Sequence, residues 1–138
     1  MGKRILALDV GLKRIGVAYS DPLGISANPL PPIENDKDVF NKIKQIIDKY
    51  EIKTVVVGLP LTLKGEEGEQ ARITRKFVQR MKQEIPDIEV KFVDERFTTS
   101  MAEKQLRETT KKSKRKKMID SVSAVYILKT YLDSINMM

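Results

Sequence analysis

Neither cysteine nor histidine occurs anywhere in this chain. Without cysteine there are no disulfides, no thiolate metal sites and no thiol redox chemistry, and a cytosolic setting is the natural expectation. Without histidine, Ser-His and Cys-His triads are closed off, as is any zinc site that needs imidazole. Aromatic residues make up only 6% of the chain, so no aromatic-rich surface for reading single strands is in view. No stretch approaches the roughly 18 consecutive apolar residues of a membrane span. The N-terminus runs straight into a strand pattern instead of a signal peptide. The expectation is a cytoplasmic protein without a membrane partner. Carboxylates, lysines, tyrosines and hydroxyls remain for chemistry.

What is present is charge, unevenly placed. The formal net charge is +7, and Lys111-Lys112-Ser113-Lys114-Arg115-Lys116-Lys117 carries six of the cations; the rest holds 20 basic and 19 acidic residues. A local basic patch on an otherwise balanced chain favours a polyanionic partner over generic stickiness. Charged residues at 33%, rich in Lys and Glu, point weakly to thermal adaptation. A chain of 138 residues fits one domain, 1–138, and a domain of that size buries about two thirds of its unfolded surface. No disulfide or structural metal is needed for a core.

Residues 4–10 and 14–20 read as two strands of a hairpin, with Asp9 at the end of the first and Gly11 in the turn. Residues 26–33 carry Pro29, Pro31 and Pro32, so at most a short edge strand is expected there. Asp36 or Asp38 can cap a helix whose apolar residues Val39, Phe40, Ile43, Ile46, Ile47 and Tyr50 recur at helical spacing. Thr54-Val-Val-Val-Gly58 reads as a strand covered on both faces. A loop over 59–68, a helix to about Glu84 and a strand over 89–94 follow. Then come a helix from Thr98 or Thr99 to about Glu108, the basic run as a loop, and a last helix from about Met118. Its buried stripe is expected at Ala124, Val125, Leu128, Tyr131, Leu132 and Ile135. The fold class is α/β: a mixed sheet with three antiparallel and then two parallel strands, and helices on both faces.

Three acids can be brought together by this order of elements. Asp9 ends the first strand. Asp94 and Glu95 end the last, and strand alternation sends them to opposite faces, so only one can join Asp9. Asp120 stands at the head of the last helix, and counting i+4 leads to Ala124 and Leu128, the stripe facing the sheet. Converging carboxylates repel one another, and a divalent ion removes that cost. Carboxylates suit Mg²⁺ or Mn²⁺, and such ions serve phosphodiester cleavage without histidine. Each acid also has a plainer use. Asp9 can bond the Gly11 amide, Asp94 can pair with Arg96, Glu95 can be a surface charge, and Asp120 can cap its helix. The basic run directly before Asp120 can draw a phosphate backbone toward the acids, with Lys13, Arg14 and Arg96 near the same sheet edge.

Taken in order, these motifs form a recognisable set. They are Asp9-Val10-Gly11 with Gly16-Val17-Ala18, Gly58-Leu59-Pro60 with Gly65, Asp94-Glu95-Arg96 with Thr98-Thr99, and Arg115-Lys116-Lys117-Met118-Ile119-Asp120 with Ala124. The set resembles the YqgF/RuvX family of bacterial proteins, which have an RNase H-like fold. The resemblance implies a cytoplasmic, metal-dependent nuclease that processes the 5′ end of pre-16S rRNA, or a Holliday-junction resolvase. Carried over by position, it implies Asp9, Glu95 and Asp120 as catalytic and metal-holding residues. Related resolvases carry a catalytic Glu at the end of the strand matching 54–58, where this chain has Gly58-Leu59-Pro60.

Other classes remain in play on sequence. One is a nucleic-acid-binding module with a vestigial acid site. Another is an actin-like or sugar-kinase ATPase, which would need a second domain of similar size. RNA or branched DNA as partner, and monomer or homodimer as state, leave no local motif.

Overall fold

The computed structural model describes residues 4–95 and 112–136, with side chains from residue 121 onward in the last helix. The elements run β1 Ile5–Val10, β2 Arg14–Ser20, β3 Ala27–Glu34, α1 Val39–Tyr50, β4 Thr54–Leu59, α2 Glu69–Glu84, β5 Glu89–Asp94 and α3 Lys112–Asn136. The five strands form one sheet in the order β3-β2-β1-β4-β5. β1 pairs antiparallel with β2, and β2 with β3; β1 and β4, then β4 and β5, are parallel. The expected mixed sheet is therefore the observed one, with β1 at its centre. The helix expected over 98–108 lies outside the described residues.

Side-chain parity divides the strands between two cores. Leu6, Leu8, Val17, Val55 and Val57 pack with Val39, Ile43 and Ile47 of α1 and Phe77, Val78 and Met81 of α2. Ala7, Ala18, Val56 and Val93 face Ala124, Ile127, Leu128 and Leu132 of α3. The α3 face is lined by alanines and valines, and small side chains let a helix lie close to a sheet. The sheet is covered on both faces, as the uninterrupted Val55-Val56-Val57 run requires.

Four details differ from the sequence reading. β3 spans eight residues, longer than its prolines suggest. It is an edge strand, so the missing amide hydrogens of Pro29, Pro31 and Pro32 fall where the sheet can spare them. Neither candidate caps α1 with its side chain: Asp38 holds the N-cap position without such a bond, and the Asp36 carboxylate accepts the Asp38 amide at 2.9 Å in the turn before the helix. On α3, Ile135, expected on the buried stripe, is 41% exposed, and Ile127, not expected on it, is fully buried. Finally, α3 begins at Lys112, so residues 112–117 are helical and not a loop. Lys and Arg are good helix formers, and no glycine or proline interrupts the run.

The β2–β3 connection is held by Asp21. Its carboxylate accepts the amides of Ile25 at 2.6 Å and Ser26 at 2.9 Å. These backbone bonds, the Ser26 amide foremost, hold its pKa below the ordinary carboxylate value. A lowered folded-state pKa means stability that is present above the unfolded pKa and lost as pH falls through the folded one. The melting temperature of Asp21→Asn should therefore lie below wild type at pH 6, with the gap closing as the pH is taken below about 4. A gap that stays constant across that range would show that the charge plays no part.

Candidate active site

The β1–β2 hairpin presents Asp9. Gly11 donates its amide to the Arg14 carbonyl at 3.0 Å, and a Cβ at Gly11 would stand 2.5 Å from that backbone oxygen. Only glycine fits this turn without moving the chain. Asn35 then fastens it from outside, donating its side-chain amide to the Gly11 carbonyl at 2.8 Å and its backbone amide to the Lys13 carbonyl at 2.9 Å. Asn35 was not among the residues singled out from sequence. Nothing in the local pattern marks a residue that acts 24 positions away.

Parity puts Asp9 on the α3 face, because Ala7, two residues earlier, packs there. The same rule separates Asp94 from Glu95. Val93 faces α3 and Phe92 faces α1 and α2, so Asp94 continues the Phe92 side and Glu95 the Val93 side. Glu95 is buried, 9% exposed, and its amide donates to the Leu59 carbonyl at 3.1 Å, extending the β4–β5 ladder by one residue. Asp94 is exposed. Asp9 and Glu95 share a face.

Strand order sets their separation. β4 stands between β1 and β5, and two strand spacings amount to about 10 Å. The Glu95 side chain crosses much of that gap. A Cβ placed on Gly58 would meet the Glu95 Cδ at 3.0 Å and its Oε2 at 3.1 Å, so the carboxylate lies over β4. Leu8 pairs with Val57, which sets Asp9 beside Gly58. On the other side Asp9 is paired with Gly16 of β2. The carboxylate of Asp9 is thus flanked by a glycine on each neighbouring strand.

The direction of α3 follows from its C-terminal end. Asn136 donates to the Gly24 carbonyl at 3.4 Å, and Leu132 lies 3.6 Å from where a Gly24 Cβ would be. Gly24 sits in the β2–β3 loop, at the sheet edge opposite Asp9. The N-terminal half of α3 therefore leads toward the Asp9 edge, with the Ser121 hydroxyl donating to the Leu30 carbonyl at 2.6 Å on the way. Asp120 lies within α3, two turns past its first residue and four before the fully buried Ala124. A capping role for Asp120 is excluded by that position. The side chains of Asp120 and of Lys112, Lys114, Arg115, Lys116 and Lys117 lie outside the described ones, as do Arg96 and Lys111 altogether. Lys13 is exposed in the hairpin turn, and Arg14 is half-buried at the start of β2.

A second loop rises from the same edge. Residues 61–67 form a small hairpin closed by the Leu61–Glu67 bridge and by the Thr62 amide on the Glu66 carbonyl at 2.8 Å. Arg75 of α2 clamps its base, its Nη2 donating to Glu67 Oε2 at 2.8 Å. That contact lowers the Glu67 pKa and raises that of Arg75. The hairpin holds out Leu63, 94% exposed, with Lys64 beside it.

Among the described residues no three acidic side chains converge as a metal-holding group. The donors on the α3 face nevertheless fit a hard divalent ion. Asp9 and Glu95 supply carboxylate oxygens, the ligands that Mg²⁺ and Mn²⁺ prefer. Ser123, one turn before Ile127 on α3, is fully buried, and its hydroxyl finds no hydrogen-bond partner among the described residues. Sequence reasoning passed over it, since a serine in a helix carries no signal of its own.

The fold is that of the RNase H-like resolvases. The T. thermophilus RuvC solved in complex with a Holliday junction substrate superposes with a TM-score of 0.58 at 12% identity, covering 96% of each chain. The Fowlpox virus resolvase, solved with Holliday junction DNA, gives 0.57 at 14% identity, covering 96% of this chain and 98% of its own. A family model described as "RuvX: Holliday junction resolvase" matches residues 3–134. A protein of Sulfurihydrogenibium sp. named "Putative pre-16S rRNA nuclease" is 63% identical over 134 residues, covering 96% of this chain and 92% of that one. One of Clostridium botulinum (strain Hall) with the same name is 43% identical over 136 residues, covering 96% and 98%. The chain belongs to the RuvX (YqgF) family.

Proposed function

We propose that this chain, over residues 1–138, is a single cytoplasmic nuclease domain that hydrolyses phosphodiester bonds in structured nucleic acid, and that its task is trimming the 5′ end of pre-16S rRNA. The observation that carries the reading is the Asp9–Glu95 pair, brought to one face by β1 and β5 with the Glu95 carboxylate lying over β4. Relatives named for pre-16S rRNA at 63% and 43% identity support the substrate.

In this reading Asp9, Glu95 and Asp120 hold Mg²⁺ or Mn²⁺. When bound, the ion neutralises charge building on the phosphoryl oxygens and favours attack by water. Asp9 and Glu95 orient the site from the sheet, and Asp120 closes it from α3. Lys13 and Arg14 at the hairpin, Arg96 and Lys111 in the sequence between β5 and α3, and Lys112, Lys114, Arg115, Lys116 and Lys117 at the head of α3 hold the phosphate backbone. Phosphate contacts of this kind set register without reading sequence.

Branched DNA is the second reading, favoured by the family description as a Holliday junction resolvase. It asks for a homodimer that cuts two strands, whereas trimming one leader needs a monomer only. The deciding experiment offers a precursor rRNA 5′ leader and a four-way DNA junction in parallel, with Mg²⁺ and then Mn²⁺. Cutting of the leader alone is the expected outcome. Cutting of the junction alone would transfer the proposal to DNA. Binding without cleavage of either substrate would leave only a nucleic-acid-binding module.

A further inference from the structure

We propose that Gly58 is a positioning residue for Glu95: by carrying no side chain, it leaves open the space over β4 through which the carboxylate on β5 reaches the strand beside Asp9. The inference rests on the metallonuclease reading above and adds a determinant of its geometry.

The sheet order makes the requirement specific. Asp9 is on β1 and Glu95 follows β5, with β4 between them. Two carboxylates that share one Mg²⁺, at about 2.0–2.1 Å from each oxygen, need oxygens within roughly 4 Å of one another. Strands two places apart are separated by about 10 Å. A Glu on β5 can meet Asp9 only by lying across β4, and the β4 residue beneath it on that face is Gly58. Val57 packs in the core under α1 and α2, and strand alternation sends Leu59 the same way, so neither competes for the space.

Two side chains come nearest to the space at Gly58 among the described residues. A Cβ there would stand 2.5 Å from Ile127 Cδ1, 3.0 Å from Glu95 Cδ and 3.1 Å from Glu95 Oε2. All three atoms are near the ends of side chains and none is backbone. Adding a methyl group should therefore leave the fold standing and be accommodated by swinging the isoleucine tip and the carboxylate aside. Of the two movements, only the second touches the site. Conformational freedom is not the reason for the glycine: Gly58 lies inside a regular strand and is absent from the positive-φ glycines.

A packing role and a positioning role separate in a pair of variants. Gly58→Ala carries both conflicts, whereas the double variant Gly58→Ala/Ile127→Val removes the Cδ1 atom and keeps the conflict with Glu95. Each is compared with wild type by Mn²⁺ titration, followed by electron paramagnetic resonance without nucleic acid, by melting temperature, and by leader cleavage. Gly58→Ala should bind Mn²⁺ at least about tenfold more weakly, in the range found when groups that orient metal ligands are altered, with a lowered melting temperature. The double variant should recover most of the melting temperature while its Mn²⁺ affinity stays low. Added to Glu95→Gln, Gly58→Ala should cost no further affinity, because the group it displaces is already lost.

Recovery of both stability and Mn²⁺ affinity in the double variant would reduce Gly58 to a packing residue and overturn the proposal. So would wild-type Mn²⁺ affinity in Gly58→Ala. A wild-type protein that binds no Mn²⁺ would instead overturn the metallonuclease reading, and the role assigned to Gly58 with it.

Discussion

Asp9→Asn should slow leader cleavage roughly a thousandfold while leaving nucleic-acid binding within a few-fold of wild type. Asparagine keeps the shape of the side chain and its place on the α3 face of β1, but it takes away the charge that, in the proposed reading, would hold a divalent ion. An ion acting on a phosphoryl oxygen supplies several kcal/mol of transition-state stabilisation, and about 1.4 kcal/mol corresponds to each factor of ten in rate. Losing most of that gives a deficit of about three decades. The fold should tolerate the change, because Asp9 is only half-buried and the glycines beside it on β2 and β4 leave room for the amide. Single-turnover cleavage and binding, measured on the same preparation, check the result. Cleavage within tenfold of wild type would remove Asp9 from the chemistry. A parallel loss of binding would recast it as part of the nucleic-acid surface.

The second large effect concerns salt. If about six phosphates are neutralised by the basic run and the hairpin cations, affinity should fall roughly a thousandfold or more between 50 and 200 mM salt. Each lysine in the 112–117 stretch that contacts a phosphate should, when replaced by glutamine, lower the slope of log affinity against log salt by about one, and a lysine turned away from the backbone should leave it unchanged. The effect should be similar across substrate sequences, because contacts to phosphate carry no base information. Fluorescence anisotropy over a salt series reads both quantities. An unchanged slope after neutralising Lys112, Lys114, Lys116 and Lys117 together would move the binding surface elsewhere. The helical state of residues 112–117 bears on this test. A helix spaces its cations at a fixed rise of 1.5 Å per residue, so single replacements should have unequal effects where a flexible loop would average them.

Relations between neighbours in the chain were legible in the sequence of this protein. Alternating and all-apolar runs marked β1, β2, β4 and β5, because side-chain period reports which faces a strand buries. Helical spacing marked α1 and α2 for the same reason. The motif set marked the family, which the relatives bear out. That Asp94 and Glu95 face opposite ways was also legible, since adjacent residues in a strand cannot do otherwise.

Only the tertiary structure decided which of the two lies on the α3 face with Asp9. That choice depends on α3 covering the side that carries Ala7, Val56 and Val93, and no local pattern says where a helix at the far end of the chain will pack. The length of β3 was settled by its edge position, which excuses its prolines. The basic run became helix because nothing within it breaks one. Above all, the sheet order set β4 between the two acids. A glycine that reads as a gap in the sequence thereby becomes the floor on which the Glu95 carboxylate lies. Periodicity is a property of neighbours along the chain, and sequence can state it; that Asp9 shares a covered face with a residue 86 positions later is a property of packing.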